Sequence, residues 1–319
     1  MIIVLVEIEQ GAPAEVSLET VAFARSLSEA GGGVPIDAVV VGDLGDSASA
    51  LAAYGVRRVY QAVGDDFGSF GGGAWASALL AAREAAGAVV VTAAGTNRGN
   101  EALAHVAARL DAPMAANVIA FASLAPFTVT RQVVGGAAWE ELVLGMRPAI
   151  FSVAGHAVAA EPAATPGAAE VVALNVVLTE QDRVSRVASV EQASGGDSSG
   201  LKDAKFVVGA GRGAGGPNGF DAVDAVAAKL GGVVGVSRVV TSLGWRPHHE
   251  QVGQTGTRIA PDVYLACGIS GAIQHWAGCA SSKTIIAVNT DAEAPMVTKA
   301  DYALIGDMHE VLPALLEQL

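Results

Sequence analysis

The architecture this sequence predicts is a pair of α/β domains: an N-terminal parallel-sheet domain with added antiparallel strands, and a smaller C-terminal domain of the same class. Three observations lead there. The 319 residues exceed the ~150 expected of one domain. Short β-branched runs alternate with helix-length amphipathic stretches in both halves, the pattern of a mainly parallel sheet covered on both faces. Between the halves the hydrophobic pattern weakens and Gly and Ser accumulate, so the N-terminal domain is placed at 1–190, a flexible linker at 191–204 and the C-terminal domain at 205–319.

Ile2–Ile8 is β-branched and reads as the first strand, followed by a helix over Ser17–Ala30 carrying Leu18, Val21, Ala22, Ala24 and Leu27 at helical spacing. Ile36–Val41 is a second strand with a small-residue helix, Ser47–Tyr54, behind it. Arg58–Ala62 and Ala88–Ala93 are strands on either side of the Ala-rich helix Ala74–Ala86, and Asn100–Leu110 is amphipathic. From Val118 to Leu178 the pattern turns to strands with few helix signals, which reads as hairpin or edge strands added to the sheet. After the linker come a strand at Lys205–Val208 and a helix at Phe220–Leu230. Strands follow at Val233–Val236, Val263–Cys267, Thr284–Val288 and Tyr302–Ile305, and a helix closes the chain over Asp307–Leu319.

Composition narrows the function classes. Half of the residues, 51%, are hydrophobic and only 16% are charged, which is ample material for buried cores. A net charge of -13 argues against nonspecific nucleic-acid binding. No apolar run reaches the ~18 residues of a membrane helix, and the start lacks the basic flank of a signal peptide, so no membrane insertion and a cytoplasmic location are expected. Cys267 and Cys279 make no disulfide framework and read as core thiols. His248 and His249 are adjacent, a poor arrangement for one metal ion, and no Cys/His spacing supports zinc. Nothing resembles a nucleophile elbow or a pair of acid/base carboxylates, so no catalytic residue is assigned.

The informative stretch runs from Ser237 to Gly278, where small residues alternate with hydrogen-bonding side chains. Upstream of it, Gly209-Ala-Gly211-Arg212-Gly213-Ala214 loosely fits a dinucleotide fingerprint, which also wants an acid ~20 residues on to hold a ribose. The next strand ends Val236-Ser237-Arg238 with no acid, which disfavours NAD. An isolated Arg238 would read as half of a surface ion pair, but it stands where a strand gives way to a loop, the ligand edge of an open sheet. Gln251-Val252-Gly253-Gln254-Thr255-Gly256 carries more directed donors and acceptors than a turn needs. Gly268-Ile-Ser270-Gly271 opens a helix whose first turn carries Gln274 and His275. Ser270 reads as its N-cap by default, with the free N–H groups there equally suited to a pyrophosphate. His275 reads equally as a structural histidine or a ligand contact.

Taken together, Ser237–Arg238, Gln251–Gly256, Gly268–His275, the SKTIIAVNTD segment and ADYALIGD resemble the alpha subunit of electron-transfer flavoprotein, in order and at family spacing. The resemblance implies a Rossmann-like FAD-binding C-terminal domain, an N-terminal domain in contact with a beta subunit, and AMP in that subunit. It implies Arg238 over the isoalloxazine ring, stabilising the anionic semiquinone, with the Thr255 hydroxyl on flavin N5 and His275 facing flavin O2. Arg212, Ser237, Gln251, Val252, Gly253, Gln254 and the turn Gly268, Ser270, Gly271, Ala272, Ile273 and Gln274 would line the ring, ribityl chain and pyrophosphate. Asn289 and Asp307 would hold the adenosine end. Flavin dehydrogenases such as acyl-CoA dehydrogenases would be the donors and a membrane quinone oxidoreductase the acceptor, so the chain would be a carrier rather than a turnover enzyme.

Five positions depart from the family pattern: Asn218, Thr257, Thr290 and the Met296-Val297 pair. These departures spare the ring contacts and leave the partner surface open. Three other readings stand beside the first: an electron-bifurcating relative using NADH with a second FAD in the beta subunit, a nucleotide-binding module that has lost flavin, and an NAD-dependent enzyme acting alone.

Overall fold

In the computed structural model, which describes residues 1–134, 138–185, 187, 189 and 199–319, the chain divides into two units, Met1–Val190 and Glu191–Leu319. The first is organised by β1 (Ile2–Leu5), which is buried at every residue. Ile3 and Leu5 join one core with Leu79, Leu103 and Val106, while Ile2 and Val4 join another with Val21, Leu27 and Leu51. Successive side chains leave opposite faces of a strand, so a run apolar at every position needs a layer on each side. Helices α1 (Glu15–Ala30) and α2 (Ser47–Ala53) supply one layer, and α3 (Gly72–Ala86) and α4 (Asn97–Arg109) the other. Each fully buried Val, Leu or Ile stabilises the unit by about 1.5–3 kcal/mol.

A two-residue hairpin, β2 (Ile8–Glu9) with β3 (Ala12–Pro13), follows β1. The remaining strands are β4 (Ile36–Val41), β5 (Arg58–Ala62), β6 (Val90–Ala94), β7 (Met114–Leu124), β8 (Phe127–Val133), β9 (Ala138–Val143), β10 (Ala149–Val153) and β11 (Glu170–Ala173). Nine of these strands form one sheet in the order β11-β5-β4-β1-β6-β10-β7-β8-β9, parallel throughout except for the antiparallel run β7-β8-β9. The expected antiparallel addition is therefore present, with two differences. Strand β10 lies inside the sheet, paired in parallel with β6 and β7, rather than at an edge. Strand β7 starts four residues before Val118, where Met-Ala-Ala-Asn lacks β-branched residues and gives no strand signal. The first strand also stops at Leu5 rather than Ile8, because the backbone N–H of Glu7 turns to donate to Ser17 Oγ at 3.0 Å.

The second unit begins with α5 (Ser199–Asp203), inside the stretch assigned to a flexible linker. Leu201 is buried there in a core with Val207 and Val252, and that apolar contact holds the segment as a helix. The rest of the linker, 191–198, lies outside the described residues. Next come β12 (Phe206–Ala210), α6 (Asp221–Lys229), β13 (Val233–Val236), α7 (Arg238–Ser242), β14 (Val263–Cys267), α8 (Ile273–Cys279), β15 (Ile285–Asn289), α9 (Pro295–Lys299), β16 (Tyr302–Ile305) and α10 (Met308–Gln318). The five strands form an all-parallel sheet in the order β13-β12-β14-β15-β16. Val208, Leu265 and Val288 face α6 and α10 through Val223, Val226 and Leu312. Val207, Tyr264 and Ala287 face the opposite core, which contains both Met296 and, at its margin, Val297. The Met296-Val297 departure is thus interior packing rather than partner surface.

One buried charge sits in the first sheet. Asp37 on β4 is fully buried and receives Arg57 Nε at 2.9 Å and Nη2 at 2.6 Å. Its carboxylate raises the Arg57 pKa. Removing the guanidinium would strand a carboxylate in the core, whereas removing both charges would not. Arg57→Met is expected to cost about 3 kcal/mol in urea unfolding, and Asp37→Val/Arg57→Met to recover most of it. A double variant as unstable as the single one would contradict this.

Candidate functional site

All five strands of the second sheet end at one edge, and the strand order reverses direction between β12 and β14. Open parallel sheets bind ligands at such a reversal, and a cleft of about 800 Å³ lies there. Its walls are the turns after each strand: Arg212 and Gly213 after β12, Ser237 to Val239 after β13, Gly268 to Ala272 with Gln274 and His275 after β14, Asn289 to Asp291 after β15, and Gly306 to Met308 after β16. The turns flanking the reversal meet backbone to backbone. Gly213 N–H donates to the Gly268 carbonyl at 3.0 Å, and a Cβ on Gly213 would stand 2.6 Å from Gly268 Cα. Gly268 itself has φ +59°, a conformation costly for residues with a Cβ. Side chains are excluded from the floor, so a ligand reaches main-chain groups directly.

Charge is graded along this edge. Arg238 and Arg212 follow the neighbouring strands β13 and β12, are exposed, and have no ion pair or side-chain hydrogen bond among the described residues. Arg246 nearby in sequence is instead pinned by Asp224 and Glu250. Asp291 and Asp307 follow β15 and β16, so the far end of the cleft is acidic. Asp307 accepts from His309 N–H at 2.9 Å and caps α10. Asn289 has both ends of its amide engaged, donating from Nδ2 to the Ile269 carbonyl at 2.9 Å and accepting from Asp291 N–H at 3.1 Å. It therefore ties the turn after β14 to the turn after β15.

Two polar atoms are left over. Ser237 is 8% exposed and His275 7%, yet Ser237 Oγ and His275 Nδ1 are buried and make no hydrogen bond of normal geometry. Both residues line the cleft. Unsatisfied buried polar atoms cost about 1–3 kcal/mol each, so two of them on one cavity call for a ligand that completes them. The other ring nitrogen of His275, Nε2, lies 2.8 Å from the Tyr264 hydroxyl. Burial pushes the His275 pKa down to about 4, the backbone of Val252 pulling weakly the other way, so the ring is neutral near pH 7. Burial also pushes the Cys267 and Cys279 thiols up to about 12, which leaves both as unreactive core residues.

Eleven of the residues singled out in the sequence are thus brought to one cavity: Arg212, Ser237, Arg238, Gly268, Ser270, Gly271, Ala272, Gln274, His275, Asn289 and Asp307. Six others lie off its walls. Gln251 and Val252 are buried, and Gln251 is spent on Thr241 and Thr255, accepting from the first at 2.7 Å and donating to the second at 3.0 Å. Gly253, Gln254 and Thr255 continue this loop, which is joined to the cleft through Gln254 N–H donating to the Gln274 carbonyl at 2.7 Å. Ile273 is 41% exposed and is not among the residues of the cleft wall. Ser270 is not a helix cap, because α8 begins three residues later, at Ile273, with Ala272 as its N-cap. Thr290, noted as a departure that spares the ligand contacts, lies on the cleft wall beside Asp291. Thr290, Asp291 and Gly306 stand inside the SKTIIAVNTD and ADYALIGD strings without having been assigned a contact, and Met308 lies just beyond the second; the signal that could have found all four is their place directly after a strand.

The donor set fits a large, partly anionic dinucleotide: unpaired guanidinium groups at one end, a main-chain floor, and carboxylates at the other. Comparison with known proteins agrees with that chemistry. Residues 2–178 match the Electron transfer flavoprotein domain, and residues 200–280 match the Electron transfer flavoprotein FAD-binding domain. The chain is 37% identical to the Electron transfer flavoprotein subunit alpha of Mycobacterium tuberculosis (strain ATCC 25618 / H37Rv), over 100% of this chain and 98% of that one. It is 35% identical to the protein of the same name from Mycobacterium leprae (strain TN), over 98% and 96%. The Bacillus subtilis (strain 168) protein is 32% identical, over 99% and 96%.

The buried His275 has a consequence for acid stability. In the unfolded chain it binds a proton below about pH 6.5, and in the folded chain only below about 4. Folding stability is therefore lost as pH falls through that window, by about 3 kcal/mol at its lower end. The unliganded chain should lose more stability between pH 6.5 and 4 than His275→Asn, by denaturant titration at each pH. Parallel pH profiles for the two proteins would refute this.

Proposed function

The chain belongs to the electron transfer flavoprotein alpha-subunit family, and from that footing we propose that its second unit holds one FAD in the sheet-edge cleft and passes electrons singly. The observation that carries this reading is the pair of orphaned polar atoms, Ser237 Oγ and His275 Nδ1, in a cleft that also presents two unpaired guanidinium groups. A bound FAD supplies the capacity to take up and release electrons one at a time.

This chain's own residues do the holding and the tuning. Arg238 places fixed positive charge where negative charge appears on reduction, and a preset charge stabilises it without reorganisation. The neutral His275 offers Nδ1 to the same end of the ligand. Ser237, Ser270 and the main chain of the 268–272 turn take the ribityl and phosphate oxygens, with Arg212 neutralising phosphate charge. Asp307 and Asp291 are placed to accept hydrogen bonds from ribose hydroxyls, the role of the missing acid after β13. The 251–255 loop lies behind Gln274 and His275, with the exposed Thr255 hydroxyl offered as a contact to the flavin ring. Among the described residues no group of His, Cys, Asp or Glu could hold a metal ion, so the charge on the ligand is met by arginine.

The name shared by the relatives, subunit alpha, supports a second chain, which we read as a beta subunit carrying AMP. Flavin dehydrogenases as donors, a quinone oxidoreductase as acceptor and a cytoplasmic site complete the reading. No helix of the described residues is long and apolar enough to cross a membrane.

The test is a visible absorption spectrum of the chain purified with its partner, followed through stepwise reduction. Bound flavin at one per chain, reduced in two separable one-electron steps, is expected. Arg238→Ala should keep the flavin but lower its first reduction potential by the equivalent of about 1–2 kcal/mol. A complex that cannot be loaded with FAD would overturn the reading, and an unchanged potential would remove Arg238 from its role.

A further inference from the structure

Tyr264 stands outside every motif noted above. It lies on β14, is fully buried, and is the largest of the side chains with almost no exposure. Its ring stacks against that of His275, with centroids 6.1 Å apart and an interplanar angle of 29°. Its hydroxyl reaches Nε2 of His275 at 2.8 Å, and has no other hydrogen-bond partner among the described residues. Gly209 on the adjacent strand makes room for it, since a Cβ there would stand 2.3 Å from the Tyr264 oxygen. The backbone of β12 thus fixes where that oxygen sits.

The direction of the hydrogen bond follows from its isolation. Burial drives the Tyr264 pKa well above 10, so the hydroxyl keeps its proton. A buried O–H donor left without an acceptor is costly, and Nε2 is the acceptor within reach. When the hydroxyl donates to Nε2, the single proton of a neutral imidazole must sit on Nδ1. That nitrogen is the one that makes no hydrogen bond of normal geometry, the Val252 backbone acting on the ring only weakly, and it belongs to a residue lining the cleft. We infer that Tyr264 is a positioning residue, which through its hydroxyl holds the His275 proton on Nδ1 and so presents the cleft with an N–H donor for an electron-rich acceptor atom of the ligand. The tautomer stands on the geometry alone. Its use toward a flavin ring acceptor rests on the function proposed above.

The arrangement differs from a histidine left to choose its own proton position. A free neutral imidazole can present either a lone pair or an N–H at Nδ1, and only the second stabilises negative charge on a ligand. The hydroxyl removes that choice before the ligand arrives, so no proton has to move on binding. Phenylalanine would fill the same space and leave the choice open.

Nitrogen NMR of the full chain with ring-labelled histidine tests this directly, before and after adding FAD. The chain has six histidines, and the His275 signals are identified by their loss in His275→Asn. The wild-type chain should show a single tautomer with the proton on Nδ1, and Tyr264→Phe should move the proton to Nε2 or mix the two forms. FAD should then bind Tyr264→Phe about fivefold more weakly, the worth of one hydrogen bond. A proton on Nε2 in the wild-type chain, or the same tautomer in Tyr264→Phe, would overturn the proposal. An Nδ1 proton in a chain that takes up no flavin would uphold the role of Tyr264 while removing the flavin reading.

Discussion

The contact between Gly213 and Gly268 is the constraint on which the site depends. The sheet of the second unit reverses its strand order between β12 and β14, and these two turns must pass each other at main-chain distance. With no Cβ between them, the floor of the cleft is backbone, and the side chains that do chemistry are pushed to its rim. Arg212 and Arg238 then fall on one side of the reversal, and Asp291 and Asp307 on the other. The charge gradient is therefore a product of topology: each charged residue follows a different strand, and the sheet order sets their sequence along the edge.

A cost is built into this arrangement. Ser237 Oγ and His275 Nδ1 are held buried without partners, and His275 is held neutral against its ordinary basicity. Each such atom costs about 1–3 kcal/mol, a cost that a ligand completing both hydrogen bonds would remove on the reading proposed above. Among the described residues of the first unit, Trp75 Nε1, Thr92 Oγ1 and Asn117 Oδ1 are also buried without partners. That unit's one fully buried carboxylate, Asp37, is matched by Arg57.

Much of this was legible in the sequence, and what was not has physical reasons. Val263–Cys267 announces itself because a strand covered on both faces is free of charge throughout, and Ile36–Val41 does so with Asp37 as its single exception. Strand β7 was half hidden, since Met-Ala-Ala-Asn reads like a helix or a turn. Helices α7 and α9 are five residues each, too short for a helical period to register. Within the site, the strings that mark it are legible, while the wall positions of Thr290 and Asp291 inside the SKTIIAVNTD string are not, because a polar turn at a strand end carries no signal of which side chain faces a ligand. The Gln251–Thr255 loop is spent partly on itself. Its polarity reads as a ligand wall, yet Gln251 is buried and spent on Thr241 and Thr255, bracing the loop from within. His275 reads equally as a structural histidine or a ligand contact, and in the structure one ring nitrogen meets the Tyr264 hydroxyl while the other is without a partner.

The most direct measurement is an experimental structure of the FAD-loaded chain with its partner subunit, at a resolution that assigns hydrogen-bond partners. The account predicts the flavin in the cleft after β12, β13 and β14, with an acceptor atom of the ligand on His275 Nδ1 and a ligand partner for Ser237 Oγ. A flavin bound elsewhere, or one that leaves both atoms unpaired, would contradict it.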